Sequence, residues 1–168
     1  MGQTQTSAIV TPVIPRRKPL TARVGLFGVG HYTYWQQFEG LKEQLLEKLA
    51  VFERKLAPHN VQVFNYGLID TAKRAYALRD QLKADNLDLI FCDMLTYATS
   101  ATFAVIVRDL DVPIVLVALQ AVKALDYSQV STHIQLYNDD FCSVPEFTGV
   151  ALRMNKKAPP VILGTLYD

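Results

Sequence analysis

Five short apolar runs constrain this chain most: Val24–Val29, Val61–Phe64, Leu87–Cys92, Pro113–Ala118 and Val161–Leu166. They are rich in Val, Ile, Leu and Phe and alternate little between apolar and polar positions. A strand with one wet face alternates. One covered on both faces does not, so these runs read as strands of a parallel sheet between helical layers.

The stretches between them carry helical spacing. Phe38, Leu41, Leu45, Leu49, Phe52 and Leu56 recur every three or four residues and form one stripe of a long helix, closed by Pro58 and Asn60. Lys42, Glu43, Glu47 and Lys48 are expected on its solvated face. Asp70 or Thr71 can cap a second helix whose stripe is Ala75, Leu78 and Leu82. A third is expected from about Thr99 to Leu110 and a fourth from about Asp140 to Met154. Four strand–helix units and a last strand predict an α/β fold: a three-layer sandwich with a parallel five-stranded sheet, of flavodoxin or Rossmann type. The expected organisation is a proline-containing extended tail at 1–20 and one α/β domain at 21–168, with the fifth strand lacking the helix that usually covers it, as in a truncated domain.

The opening segment places its basic residues after its apolar part, the reverse of a secretory signal. No stretch reaches the roughly 20 apolar residues that cross a bilayer. The net charge of +1 gives no electrostatic reason to expect nucleic acid or a membrane surface as partner. Cys92 and Cys142 are too far apart for a C-x-x-C motif and each follows a phenylalanine, which suggests buried, reduced thiols in a cytoplasmic protein.

In an open parallel sheet, ligands bind beyond the carboxyl ends of the strands. The first such end reads Gly28-Val29-Gly30-His31-Tyr32-Thr33-Tyr34-Trp35. A dinucleotide fingerprint would need a third glycine where Thr33 stands and an acid at the tip of the second strand. A P-loop would need G-K-[ST], which is absent. A phospho-receiver would need carboxylates in this first loop, and there are none. The glycines are expected to let the chain turn sharply, presenting the rings outward. His31, Tyr32, Tyr34, Trp35, Gln120 and Asn138 together suit a carbohydrate, which offers C–H faces to aromatic rings and hydroxyls to amides. Packing of the rings around a strand-to-helix turn accounts for them equally well. Asp93 ends the third strand. Asp139, Asp140 and Glu146 are expected to serve the opening of the fourth helix.

One longer pattern adds to this. In Asn138–Met154, NDDFCSVPEFTGVALRM, an Asn is followed by Glu146-Phe147 and closed by Arg153-Met154. With His31 and Gln120, this resembles the N-terminal region of the L-arabinose isomerase family, from about Arg23 onward. The resemblance implies an aldose–ketose isomerase acting on a pentose or related sugar with Mn²⁺, whose metal ligands lie in later segments not in this chain. It implies a homo-oligomer in which His31, Tyr32, Tyr34, Trp35, Gln120, Asn138 and Glu146 contact substrate or an adjacent subunit. It implies no catalytic or metal-ligating residue here, and no activity for these residues alone. Departures are Gly30 in place of a glutamine, Ala118 in place of a histidine, and a one-residue slip at Tyr34. The competing expectation is a stand-alone, non-catalytic α/β module that binds a small molecule or a protein.

Overall fold

The computed structural model describes residues 21–167; the expected tail at 1–20 lies outside them. The elements are β1 (Ala22–Val29), a 3-10 turn (Tyr32–Tyr34), α1 (Leu41–Leu56), β2 (Val61–Ile69), α2 (Ala72–Ala84), β3 (Leu89–Asp93), α3 (Ser100–Val107), β4 (Ile114–Gln120), α4 (Thr132–Tyr137), α5 (Val144–Arg153) and β5 (Val161–Thr165). The strands form one parallel sheet in the order β2-β1-β3-β4-β5. This is the flavodoxin-type order, in which the direction of winding reverses between β1 and β3.

Both faces of the central strands β1, β3 and β4 are covered, as their unalternating runs require. Phe27, Val29, Ile90, Cys92 and Leu116 pack against Leu78 of α2, Phe103 of α3 and Phe147 of α5. The rings of Phe103 and Phe147 stack at 4.6 Å between centroids. On the other face Leu26, Leu68 and Val117 meet Leu41, Leu45, Leu49 and Phe52 of α1 and Leu136 of α4.

Three local features differ from expectation. The fourth helix starts at Val144, not Asp140, and the stretch before it holds α4, capped by the Ser131 hydroxyl, which accepts from the Ile134 amide at 3.2 Å. Cys92 is buried as expected, but Cys142 is exposed. Gly28 and Gly30 do not adopt a left-handed conformation; that belongs to Gly40 and Gly67. They are small because neighbours press on them. A Cβ at Gly28 would lie 2.3 Å from the Leu95 side chain, and one at Gly30 would lie 3.0 Å from the Trp35 ring. The loops after β1 and β3 thus settle directly onto the β1 backbone.

At the far edge, β5 keeps Ile162 43% and Leu163 63% exposed, one on each face. Among the described residues, no helix is long and apolar enough to cross a membrane.

Gly28→Ala is expected to destabilise the protein by about 1–3 kcal/mol, because the added methyl overpacks a site already filled by Leu95. Urea denaturation measures this, and a stability equal to that of the parent would contradict the packing described.

Candidate functional site

The carboxyl ends of β1 and β3 lie side by side, with Gly28 in register with Asp93. The segments that follow them rise together at the point where the sheet reverses. His31 stacks on Tyr32 at 5.3 Å and 16°, and on Tyr97 of the loop after β3 at 6.4 Å and 18°. Tyr34 lies 5.6 Å from His31 and meets Trp35 and Phe38 edge-on. The ring contacts therefore bridge two loops that are distant in sequence. Tyr34 also faces the link between α4 and α5: burial raises its hydroxyl pKa, and Tyr97, Cys142 and Asp139 push it the same way.

The loop geometry explains the histidine. Its Nδ1 accepts from the Thr33 backbone amide at 3.4 Å and lies 2.7 Å from the Thr33 hydroxyl. A backbone amide only donates, so Nδ1 is the acceptor and the neutral ring carries its proton on Nε2. His31 is thus both the cap of the 3-10 turn and a ring held in one orientation. Trp35 is held too: its Nε1 donates to Asp70 at 2.8 Å while its ring covers Gly30. Tyr32 is 56% exposed and is the most open ring of this cluster.

The other expected contacts have structural work. Gln120 donates to the Asn138 carbonyl at 3.0 Å, and the Asn138 side chain accepts from the Val122 amide at 3.0 Å. These bonds hold the segment after β4 against the end of α4. Glu146 does not serve its own helix. It accepts from the Ser100 amide at 2.9 Å and so caps α3, whose N-cap residue Thr99 makes no side-chain capping bond. Of the seven expected contact residues, then, His31, Tyr32, Tyr34 and Trp35 cluster on the rim, while Gln120, Asn138 and Glu146 brace the loops behind it.

Beneath the rim is a group that periodicity misassigned. Lys48, expected in solvent, is 1% exposed. Its ammonium donates to Asp140 Oδ1 at 2.6 Å, to the Tyr137 carbonyl at 3.0 Å and to the Leu95 carbonyl at 3.3 Å. All three ammonium protons are used. Asp140 is therefore a buried counter-ion, not a helix cap. Asp93, 3% exposed, shares this environment. Burial raises its pKa to about 8, with Lys48 pulling down and Asp140 pushing up. Burial likewise lifts Asp140 to about 7 against the pull of Lys48. Asp140 Oδ2 and Thr96 Oγ1 are buried without a hydrogen-bond partner. The sequence signal that could have located the cluster is Lys48 itself, which sits beside Leu49 on the apolar stripe.

Other clefts lie elsewhere. An apolar one of about 590 Å³ lies at the opposite edge of the sheet, between Val107, Leu110, Ile114 and Pro160, away from the rings. Another of about 610 Å³ lies outside the first loop, along Trp35, Glu39 and Glu43.

A scan against protein-family models finds no match for this chain, and a search of curated proteins finds none. Among solved structures it is similar to "Crystal Structure of TesA", with a TM-score of 0.38 and 16% identity over 79% of this chain and 75% of that one. At this level the likeness says nothing about chemistry. The expected kinship with the L-arabinose isomerases is corrected accordingly: no family model and no curated protein supports it. The isomerase assignment, arabinose catabolism and manganese fall with it. Among the described residues, no group of three or more His, Cys, Asp and Glu side chains is placed to hold a metal ion.

Two outcomes follow for the buried cluster. Lys48→Met leaves Asp140 uncompensated in the interior and is expected to cost about 3–5 kcal/mol in denaturant unfolding. Asp93 has a folded-state pKa near 8, far above its value in an unfolded chain. Its contribution to stability is complete at acid pH and is lost as pH rises towards 8. Melting temperature is expected to fall over that range, and the fall should be shallower in Asp93→Asn.

Proposed function

We propose that the crevice at the β1/β3 reversal binds a neutral, hydroxyl-rich small molecule of sugar type, and that the chain acts as a binding module there. The observation that carries this is the contact of His31 with Tyr97 across two loops, on the edge of the sheet where this class of fold places its ligands. Aromatic faces suit the C–H surface of a pyranose or furanose ring. The Nε2–H of His31 and the hydroxyls of Tyr32, Tyr34 and Tyr97 can supply directional hydrogen bonds.

Charge narrows the ligand further. Segments 24–41, 84–107 and 124–152, which include these loops, contain no Lys or Arg. Lys48 is nearby, but its donors are consumed. Phosphate and carboxylate ligands call for cationic donors; besides Lys48 the nearest are Lys42, 5.9 Å from the Trp35 ring at its outer side, and Lys123 beyond β4, so the ring cluster itself favours a neutral ligand.

Titrating the ¹⁵N-labelled full chain with free pentoses and pentitols tests this, with ribose 5-phosphate as the anionic comparison. The expected result is amide shifts confined to residues 30–35, 96–99 and 138–143, with weaker response to the phosphate. His31→Ala and Tyr32→Ala should each weaken binding about tenfold or more, the scale of losing one good ring or hydrogen-bond contact. Shifts elsewhere, or none with any neutral ligand, would overturn the reading.

A further inference from the structure

The Lys48 ammonium ties together three segments that build the crevice: the loop after β3 through Leu95, the end of α4 through Tyr137, and the α4–α5 link through Asp140. Asp140 is bonded to the ammonium at 2.6 Å, and Asp93, 3% exposed at the end of β3 and two residues before Leu95, is a second buried carboxyl in the same cluster. A net negative charge is costly to bury, so one of the two carboxyls holds a proton when the ammonium is clamped. That proton decides how the clamp is shared. With Asp93 neutral, Lys48 is committed to Asp140. With Asp93 ionised, a second carboxylate competes for the ammonium and repels Asp140.

We propose that Lys48, Asp140 and Asp93 form a proton-operated clamp that holds the crevice in its binding shape when one proton is present and loosens it when that proton leaves to solvent. The inference rests on the reading of the crevice as the binding site only for its functional consequence; the clamp is tested without a ligand. The two unpartnered buried atoms, Asp140 Oδ2 and Thr96 Oγ1, lie on the segments the clamp would release. The loop after β3 and the α4–α5 link are also joined by Ser143, whose hydroxyl accepts from the Ala98 amide at 2.9 Å and donates to the Ala98 carbonyl at 3.0 Å, so the ammonium bonds act beside a second, uncharged tie. The charged and titratable groups around the cluster are Lys48 from α1, Tyr137 from α4, Asp139 and Asp140 from the link, and Asp93 and Cys92 from β3; Glu47 and Tyr167 act on Tyr137 at its margin. Cys92 and Tyr137 are both pushed upward by burial, Tyr137 to about 12, so neither titrates near neutrality. His31 and Asp139 act on the rim itself and are separated from the clamp by experiment.

The experiment follows the Asp93 side-chain carboxyl carbon and the aromatic ring signals of Tyr34 and Tyr97 by NMR from pH 5 to pH 9.5 in the full chain. The expected result is a titration of Asp93 above pH 7, accompanied at the same midpoint by movement of both rings. In Asp93→Asn that component should vanish. Because the wild-type titration needs no variant, the proposal stays falsifiable if Asp93→Asn fails to fold. An Asp93 midpoint below pH 5, or rings that ignore its titration, would overturn the clamp. If a pentose binds, its affinity should fall towards one decade per pH unit above that midpoint, as the loss of one linked proton requires. Rings that follow Asp93 without any pentose binding would sustain the clamp and defeat the binding reading; pentose binding with unchanged affinity from pH 6 to pH 9 would do the reverse.

Discussion

A single ammonium group ties together three of the segments at the carboxyl end of this sheet. Lys48 sits on the apolar stripe of α1, between the buried Leu45 and Leu49, and its chain length lets Nζ reach out to the ends of β3 and α4. Removing an ammonium from water is costly, and here the cost is offset by three hydrogen bonds, one of them to a carboxylate at 2.6 Å. A leucine at this position would fill space equally well, but it could not tell the Leu95 loop and the α4–α5 link where to stop. Apolar packing supplies cohesion between the layers, whereas the buried ion pair supplies register among the loops.

Much of the fold was legible in the sequence, and the reason is physical. A strand buried on both faces cannot hide its composition, which made β1, β3 and β4 legible; the run at β5 is equally apolar although its faces are open. β2 extends well past its run because Asn65, Tyr66 and Gly67 form an irregular stretch where the register with β1 shifts. Hydrophobic periodicity likewise located α1 and α2. It failed at α4, whose six residues hold only one buried side chain, Leu136, too few to establish a period. It failed at Lys48 for another reason. Periodicity assigns a charge to solvent, and nothing in the local sequence reveals a carboxylate 92 residues away.

The candidate site was legible in part. The rings of residues 31 to 35 stand at the tip of β1, as strand-end reasoning requires, but their partner Tyr97 comes from a separate loop, and pairing between loops has no sequence signature. Gln120, Asn138 and Glu146 illustrate the converse. Position suggested ligand contact for Gln120 and Asn138, and the resemblance implied it for Glu146, yet each is spent on backbone groups that the loops leave unpaired. Polar side chains near a ligand edge serve two masters, and only geometry separates those facing outward from those facing back into the chain.

The carboxylate of Glu146 completes the start of α3 from a position 46 residues downstream. Behind that bond, Phe147 lies against Phe103. α3 is short, strongly apolar and without a cap of its own making, so it acquires a finished terminus only when α5 has arrived. The two helices are consequently one cooperative piece: the middle of the chain waits on its later part, and fraying at α5 propagates to the loop that carries Tyr97.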